Sequence, residues 1–480
     1  MYKRQPLVNL EQFTPQTGPV AVKNVHILAP DGNGFLQGQT ILMEGGMIVD
    51  IAPNLTIPAS TKIIDGQGKY LIPGLIDSHV HLFKSPNDLL LYVANGVTEI
   101  REMIGDETKL AMKKEIANGR IGPKMWVASP PLGSIKQFSD RFISLTRGAI
   151  NIDNAKEAEE NVQQLYNQGY DGIKIYSHLN RESYLAATKT ANALGMPVAG
   201  HIPWEASLTD FWESGQSEIA HMEEVMNALR REFWQDTTRN SDDFLPFVEE
   251  RSEAIATQLL KRDISVTSTL WLTESFVRQK FDLDRVLNEI ELAYVNPGMS
   301  EGAKMGDAKF GWLPEVNLYS LPEGLTEDEK VGSKKFWTNY GKACQILTKN
   351  LSNRGVKIMA GTDANLPPTV PGFSLHDELI SLNRAGMTPA QVLRAATSLP
   401  AQWLKSKTGE ISVGFNANLV LLDKNPLMDI RHTKTINTVF SNGKIYNRAL
   451  LDQLLAAVKK VNDECRTVDV SQYNNQLVQK

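Results

Sequence analysis

The sequence predicts an α/β protein: a (β/α)8 TIM barrel with a small β-sandwich domain built from both chain termini. From Leu75 onward, eight short apolar runs typical of strands alternate with helical patterns, and this count at this spacing favours a closed barrel over an open sheet. Strand-like sequence without intervening helices occupies both ends of the chain. We therefore expect the two ends to pair into one β unit beside the barrel.

The predicted boundaries follow from these patterns. The β-sandwich domain comprises residues 18–70 and 407–448, the barrel comprises residues 71–406, and a C-terminal helix and tail comprise residues 449–480. Within the terminal domain, Gly45-Gly46 between two apolar runs predicts a hairpin.

The eight barrel strands are predicted by apolar runs, and the segments between them have helical periodicity. After the first strand, which starts at Leu75, the predicted strands are 97–103, 124–129, 172–176, 197–202, 217–221, 265–272 and 356–363. The predicted helices are 87–95, 107–118, 154–167, 182–194, 207–213, 242–261, 334–353, 374–385 and 389–397.

An aromatic-rich insertion, residues 273–331, separates the predicted seventh strand from the helix after it. It is well above the usual loop length, and on a barrel it would leave from the C-terminal face, where active sites form. Two interpretations stay open, a lid that selects the substrate and a surface element with its own small core.

Composition and charge exclude several classes of partner and protein. The 480 residues carry 50 basic and 55 acidic side chains, for a net charge of −5, without a basic run, so no nucleic acid partner is predicted. No apolar stretch is long enough for a membrane span, and two cysteines exclude a disulfide framework. The N-terminus has no secretory apolar region, so we expect a cytoplasmic protein as written, and a periplasmic or secreted one if a signal peptide has been removed.

Two histidines mark the first barrel strand. Side chains alternate along a strand, so His79 and His81 point to the same face and can bind one metal ion together. The structural alternative is a pair of buried histidines satisfied by hydrogen bonds.

Four further polar residues lie at or near the C-terminal ends of apolar strands: Lys174, His201, His221 and Asp363. A barrel brings such positions to one mouth. Buried charges need partners or a metal, because unpaired they cost several kcal/mol. A neutral buried Lys174 can react with carbon dioxide to give a carbamate, an anionic ligand that bridges two metals. The alternative is a structural ion pair with Asp171 or Glu99.

These residues carry a resemblance to the amidohydrolase superfamily, specifically to its imidazolonepropionase-like and prolidase-like members. The resemblance covers nearly the whole chain, and its motifs are Ile-Pro-Gly-Leu-Ile-Asp-Ser-His-Val-His at 72–81, Gly-Ile-Lys-Ile-Tyr at 172–176, Gly-Thr-Asp-Ala at 361–364, and the segments 371–379, 386–397 and 409–423.

The resemblance implies a binuclear metal centre with two divalent ions, zinc above all, although manganese and cobalt stay open. His79 and His81 would hold the more buried ion, and His201 and His221 the more exposed one. Lys174, carboxylated at its side-chain nitrogen, would bridge the two ions together with a hydroxide. Asp363 would bind the buried ion and transfer the hydroxide proton to the leaving amine. Tyr176 is a second catalytic candidate, as a stabiliser of the oxyanion.

Several residues are predicted to contact the substrate, each with a structural alternative. Tyr176 shares the inward face of Lys174 but could pack at the rim, and His178 and Trp204 could shape the same pocket. Arg101 could bind a substrate carboxylate or form a salt bridge with Glu99 or Asp106. His376 could line the mouth or cap local structure.

The predicted function is a metal-dependent hydrolase of an amide or peptide C–N bond, as in a dipeptide or an N-acyl amino acid. One alternative is hydrolysis of a cyclic amide, a lactone or a xenobiotic ester, and another is a catalytically silent scaffold. The mononuclear deaminases of the superfamily resemble each other in having a Glu where this chain has Trp204, and they lack the bridging Lys, which argues against deamination. The partner is a small-molecule substrate, and the resemblance also allows a homo-oligomer.

Overall fold

The computed structural model describes residues 5–83, 85–134 and 148–473. Its strands, in chain order, are β1 Val20–Leu28, β2 Phe35–Glu44, β3 Met47–Ala52, β4 Lys62–Asp65, β5 Tyr70–Pro73, β6 Leu75–Val80, β7 Val97–Glu102, β8 Lys124–Val127, β9 Leu132–Gly133, β10 Ile150–Asn151, β11 Ile173–Ile175, β12 Val198–Gly200, β13 Glu218–Ile219, β14 Ser265–Thr267, β15 Lys304–Met305, β16 Ala308–Lys309, β17 Ile358–Met359, β18 Leu419–Leu422, β19 Ile436–Ser441 and β20 Lys444–Asn447.

The α-helices are numbered in the same way. They are α1 Asp88–Ala94, α2 Glu107–Ala117, α3 Ala155–Gln168, α4 Arg181–Ala193, α5 Leu208–Ser214, α6 Met222–Phe233, α7 Phe244–Lys261, α8 Leu270–Phe281, α9 Leu283–Glu289, α10 Pro297–Ser300, α11 Glu327–Asn353, α12 Phe373–Arg384, α13 Pro389–Ala395, α14 Ser398–Trp403 and α15 Arg448–Cys465.

Eight parallel strands form a ring. One sheet contains β6, β7 and β8, and a second contains β11, β12, β13, β14 and β17 in that order. Parallel bridges join the sheets on both sides, between Ala128 and Gly172 and between Val80 and Ala364. The strands are those predicted from the sequence, and the mixed α/β fold with parallel strands is confirmed. The ring is consistent with the predicted (β/α)8 barrel, and we refer to it as the barrel.

Strands from both chain ends form one further sheet, in the order β20-β19-β18-β5-β1-β2-β3, with β4 paired to β1. The N-terminal and C-terminal parts meet where β18 pairs antiparallel with β5. Apolar side chains from both parts, including Val22, Ile41 and Leu419, pack into a core of their own. The predicted pairing of the two ends is therefore present, whereas a separate two-layer sandwich is not confirmed.

The seventh strand is shorter than predicted. It ends at Thr267, and the residues predicted to complete it, 268–272, lead into helix α8, which starts at Leu270. The prediction of a long loop directly after the strand was therefore wrong, because Thr269 has a left-handed backbone (φ 47°) that ends the strand. The later helix also starts earlier than predicted, at Glu327, where Thr326 and Glu329 form a capping box.

The insertion lies between α8 and α11 and contains α9, α10 and the hairpin β15–β16. Its side chains Leu287, Ile290 and Trp312 are buried in a small core together with Val470 and Tyr473 from the C-terminal tail. A small core of this kind fits the second of the two interpretations, a surface element.

Within the described part of the chain, none of the helices combines the length and apolar character needed to cross a bilayer. Both cysteines are free thiols.

Candidate metal centre

The predicted ligands lie at the C-terminal ends of the barrel strands. His79 is the fifth residue of β6, and His81 directly follows that strand. His201 follows β12, His221 follows β13, and Asp363 lies shortly after β17.

His79, His81 and Asp363 form the most buried group. Oδ1 of Asp363 is 2.7 Å from Nε2 of His81 and 3.6 Å from Nε2 of His79. Ligand atoms of His79, His221 and Asp363 lie within 4.8 Å of one another, which is compact enough to hold one ion. Gly361 permits this approach, because a Cβ there would lie 2.9 Å from Cβ of His79.

His201 and His221 form the more exposed side of the group. Their ring centroids are 5.2 Å apart, and the His221 ring is 4.3 Å from that of His79. Nδ1 of His201 is 2.6 Å from the Ser177 hydroxyl, and Nδ1 of His221 is 3.1 Å from the Thr269 hydroxyl. Imidazoles oriented through Nδ1 in this way can bind a metal through Nε2.

Two of the predicted ligands have strained backbones. His221 (φ 73°) and Asp363 (φ 56°) both adopt the left-handed conformation that non-glycine residues seldom use. Strain of this kind costs on the order of 1–3 kcal/mol per residue and concentrates at functional sites.

Lys174 lies in β11 and is 2% exposed. Its Nζ atom has no hydrogen-bond partner among the residues that the structure describes. Burial lowers the pKa of Lys174 to about 8, although the carboxylates of Glu218 and Asp363 act in the opposite direction. The alternative partners are engaged elsewhere, because Asp171 pairs with Lys113 and Glu99 with Lys124.

Arg101 has a different partner from those predicted, which were a substrate carboxylate and the carboxylates of Glu99 and Asp106. It is fully buried, its guanidinium is 3.4 Å from the Glu218 carboxylate, and it lies over the Trp403 ring at 4.0 Å. The predicted salt bridges with Glu99 and Asp106 are therefore replaced by one with Glu218. A residue enclosed in this way is a part of the barrel interior, and the predicted substrate contact at the mouth does not fit its position.

His376 also lies away from the predicted mouth. Its Nδ1 is 2.9 Å from the Thr433 hydroxyl, and its Nε2 is 3.1 Å from the carbonyl of Asn95. Burial, with a smaller effect of Lys434, lowers the pKa of His376 to about 3. A neutral histidine with both nitrogens paired is the structural alternative that the sequence left open.

Tyr176, His178 and Trp204 lie together beside His201. The Tyr176 ring is 4.8 Å from that of His201, and the His178 ring is 4.3 Å from that of Trp204. The structure thus brings these three predicted substrate contacts together.

Two carboxylates lie next to predicted ligands and were not predicted from the sequence. Glu102 has Oε1 3.9 Å from Nδ1 of His81, and Glu224 has Oε1 3.6 Å from Nδ1 of His201. Glu102 ends β7, so the rule that selected the other strand-end residues could have found it. Glu224 lies on helix α6, and this helix was not predicted from the sequence.

Comparison with known proteins agrees with this fold. The profile of the Amidohydrolase family matches residues 327–446. Ochratoxinase of Aspergillus niger is 32% identical over 139 residues, which span 28% of this chain and 27% of that protein. The 5'-deoxyadenosine deaminase of Methanococcus maripaludis is 20% identical over 453 residues, or 89% of this chain and 92% of that one.

The crystal structure of a Xaa-Pro dipeptidase with bound methionine superposes with a TM-score of 0.62 at 18% identity, covering 90% of this chain and 100% of that chain. At this identity the likeness shows a common fold. The match of residues 327–446 to the Amidohydrolase family supports the resemblance to the amidohydrolase superfamily that the motifs carry. These relatives support the predicted class, a hydrolase that acts on carbon–nitrogen bonds.

Proposed function

We propose that this chain is a (β/α)8-barrel hydrolase that uses two divalent metal ions to cleave an amide bond, as in a dipeptide or an N-acyl amino acid. The single observation that carries the proposal is Lys174, a buried amine without a hydrogen-bond partner in the described structure that lies close enough to His79 and Asp363 to interact with their charges. An amine in this position is costly unless it is neutral or modified.

The donor atoms fit such a metal pair. Both ring nitrogens of His79 and Nδ1 of His81 are buried and lack hydrogen bonds within the described residues. Imidazole and carboxylate donors suit zinc, so zinc is the ion we propose. His79 and His81 would hold one ion and His201 and His221 the other, in contact with Asp363.

Lys174 would bridge the two ions as a carbamate. Its neutral Nζ forms a bond to the carbon of carbon dioxide and releases one proton, which leaves an anionic carboxylate on the lysine. Burial favours this step, because desolvation lowers the pKa of Lys174 and so increases the fraction of neutral amine.

Two bound divalent ions would lower the pKa of a water between them and polarise the scissile carbonyl. Asp363, next to His81 and His79, would accept the proton of that water and deliver it to the leaving amine. The phenol of Tyr176, beside His201, would donate a hydrogen bond to the oxyanion.

The proposal is tested by turnover of the zinc-loaded protein on dipeptides and N-acyl amino acids, with a lactone as an alternative substrate. Asp363→Asn should lower turnover by about 10²–10⁴-fold, because it removes the proton shuttle. Asp423→Asn is the matched control, since Asp423 is exposed in the terminal sheet and pairs with Lys69. Near-wild-type turnover by Asp363→Asn would refute the role of Asp363, and turnover of the lactone alone would favour the ester alternative.

A further inference from the structure

A series of aromatic rings runs from the metal-ligand histidines to the surface. The centroid distances are 5.2 Å from His221 to His201, 4.8 Å from His201 to Tyr176, 5.8 Å from Tyr176 to His178, and 4.3 Å from His178 to Trp204. Exposure increases along the series, from the buried His221 through three half-buried rings to Trp204, which is 57% exposed. The series therefore connects the proposed reaction centre with solvent.

The backbone around these rings is held in place. The Trp204 N–H donates to the Ser177 carbonyl at 2.9 Å, and the Ser177 hydroxyl is 2.6 Å from Nδ1 of His201. Pro203 restricts the chain directly before Trp204. The indole is therefore presented to solvent from a fixed segment that also carries a metal ligand.

An exposed indole beside a reaction centre can contact an aromatic ring of a substrate. Aromatic rings prefer offset-stacked and edge-to-face partners, and indole has a large apolar surface to bury.

We propose that Tyr176, His178 and Trp204 form an aromatic wall that binds a planar aromatic group of the amide substrate. The inference rests on the proposed function and narrows the substrate class to dipeptides or N-acyl amino acids that carry an aromatic ring. The wall adjoins His201, so the ring it binds belongs to a group close to the scissile bond.

The test uses two matched substrate pairs with the zinc-loaded protein: N-acetylphenylalanine against N-acetylleucine, and N-benzoylglycine against N-acetylglycine. The wild type should prefer the aromatic member of at least one pair. Trp204→Ala should raise KM for that member about tenfold while kcat and the KM of the aliphatic member change little, because Trp204 contributes binding rather than chemistry. Trp204→Phe should keep most of the preference.

Trp234→Ala is the matched control. Trp234 is 52% exposed, but it follows the C-terminal end of α6, whereas His221 precedes the start of that helix. Trp234→Ala should leave the KM values of all four compounds unchanged. Equal losses of the aromatic and aliphatic members in Trp204→Ala, or no aromatic preference in the wild type, would overturn the aromatic wall.

A binding measurement separates this inference from the proposed function. Calorimetric titration of zinc-loaded Asp363→Asn with the same four compounds reports the preference without turnover. Asp363→Asn should bind the aromatic member of a pair more tightly than the aliphatic member, and the Asp363→Asn, Trp204→Ala double variant should lose this difference. That result would support the wall even if the wild type hydrolyses none of the compounds. Equal binding of both members of each pair, or binding of neither, would refute it.

Discussion

The Nζ atom of Lys174 lies in an environment that an ammonium ion would not favour. The group is desolvated, and its nearest positive neighbours include Arg101, which lowers the pKa of Lys174 further. The Glu218 carboxylate acts against this effect, but it is shared with Arg101 and accepts a hydrogen bond from Thr267. This environment lowers the pKa of Lys174 to about 8 and so increases the fraction of neutral amine, which is the form that reacts with carbon dioxide.

A second buried group, Asp88, makes stability depend on pH. It is almost fully buried, its Oδ2 accepts a hydrogen bond from Nδ2 of Asn365 at 2.8 Å, and burial raises its pKa to about 8. The folded chain therefore keeps a proton that the unfolded chain releases near the ordinary value of 3.8. The stabilisation that neutral Asp88 gives the folded chain is complete below pH 3.8. It is lost as the pH rises from that value to about 8.

Asp88→Asn should remove this pH dependence, because asparagine keeps an acceptor for Asn365 and cannot ionise. We expect the melting temperature of the wild type to fall more steeply than that of the variant between about pH 5 and pH 8. The exposed Asp242→Asn, measured alongside by calorimetry, should follow the wild type. Parallel curves for all three proteins would contradict the buried, protonated state of Asp88.

Helix α8 shows why one element could not be predicted from local sequence. Its first N–H groups, from Leu270 and Trp271, donate to the Glu378 carboxylate at 2.9 and 2.7 Å. Glu378 lies more than a hundred residues later in the chain, on α12. Residues 268–272 have a strand-like composition, and this distant carboxylate, together with the left-handed Thr269, makes them a helix start.

The insertion depends on the C-terminal tail for its core. Val470 and Tyr473 are buried against Leu287 and Trp312, and Thr467 donates to the Glu301 carboxylate. The C-terminal tail, which follows helix α15, therefore packs against the insertion and stabilises it.

Val470→Ala should loosen the insertion, because it removes buried methyl groups from that small core at a cost of about 1–3 kcal/mol. We expect limited proteolysis to cut residues 282–326 faster than in the wild type. Val468→Ala makes the same chemical change at a side chain that is 44% exposed, and it should not alter the cleavage rate. Equal rates for the three proteins would mean that the tail does not stabilise the insertion.

At the scale of the whole molecule, the proposed ligands come from strands that are far apart in sequence. His79 lies in the first barrel strand and Asp363 follows the last one, and the two segments meet where the Asp363 N–H donates to the carbonyl of His79 at 2.8 Å. The proposed ligands come together only when the ring closes here, so a bound ion would stabilise the closed ring.

Much of this arrangement could be predicted from the sequence. Apolar runs locate the strands, and the period of two places His79 and His81 on one face. The rule that strand ends meet at one mouth selected His201, His221 and Asp363. It failed for Arg101, because a strand-end position does not reveal a buried partner such as Glu218, and it could not find Glu224, which lies on a helix.

Metal content per chain, determined by elemental analysis of protein purified without chelators and with bicarbonate present, shows whether Lys174 helps to hold a pair of ions. We expect about two zinc or similar ions in the wild type and fewer in Lys174→Ala, with partial restoration by a short carboxylic acid that replaces the carbamate. Lys357→Ala, at a partly exposed lysine paired with Asp263, should bind as much metal as the wild type. One ion or none in the wild type, or full metal content in Lys174→Ala without added acid, would contradict a centre bridged by Lys174.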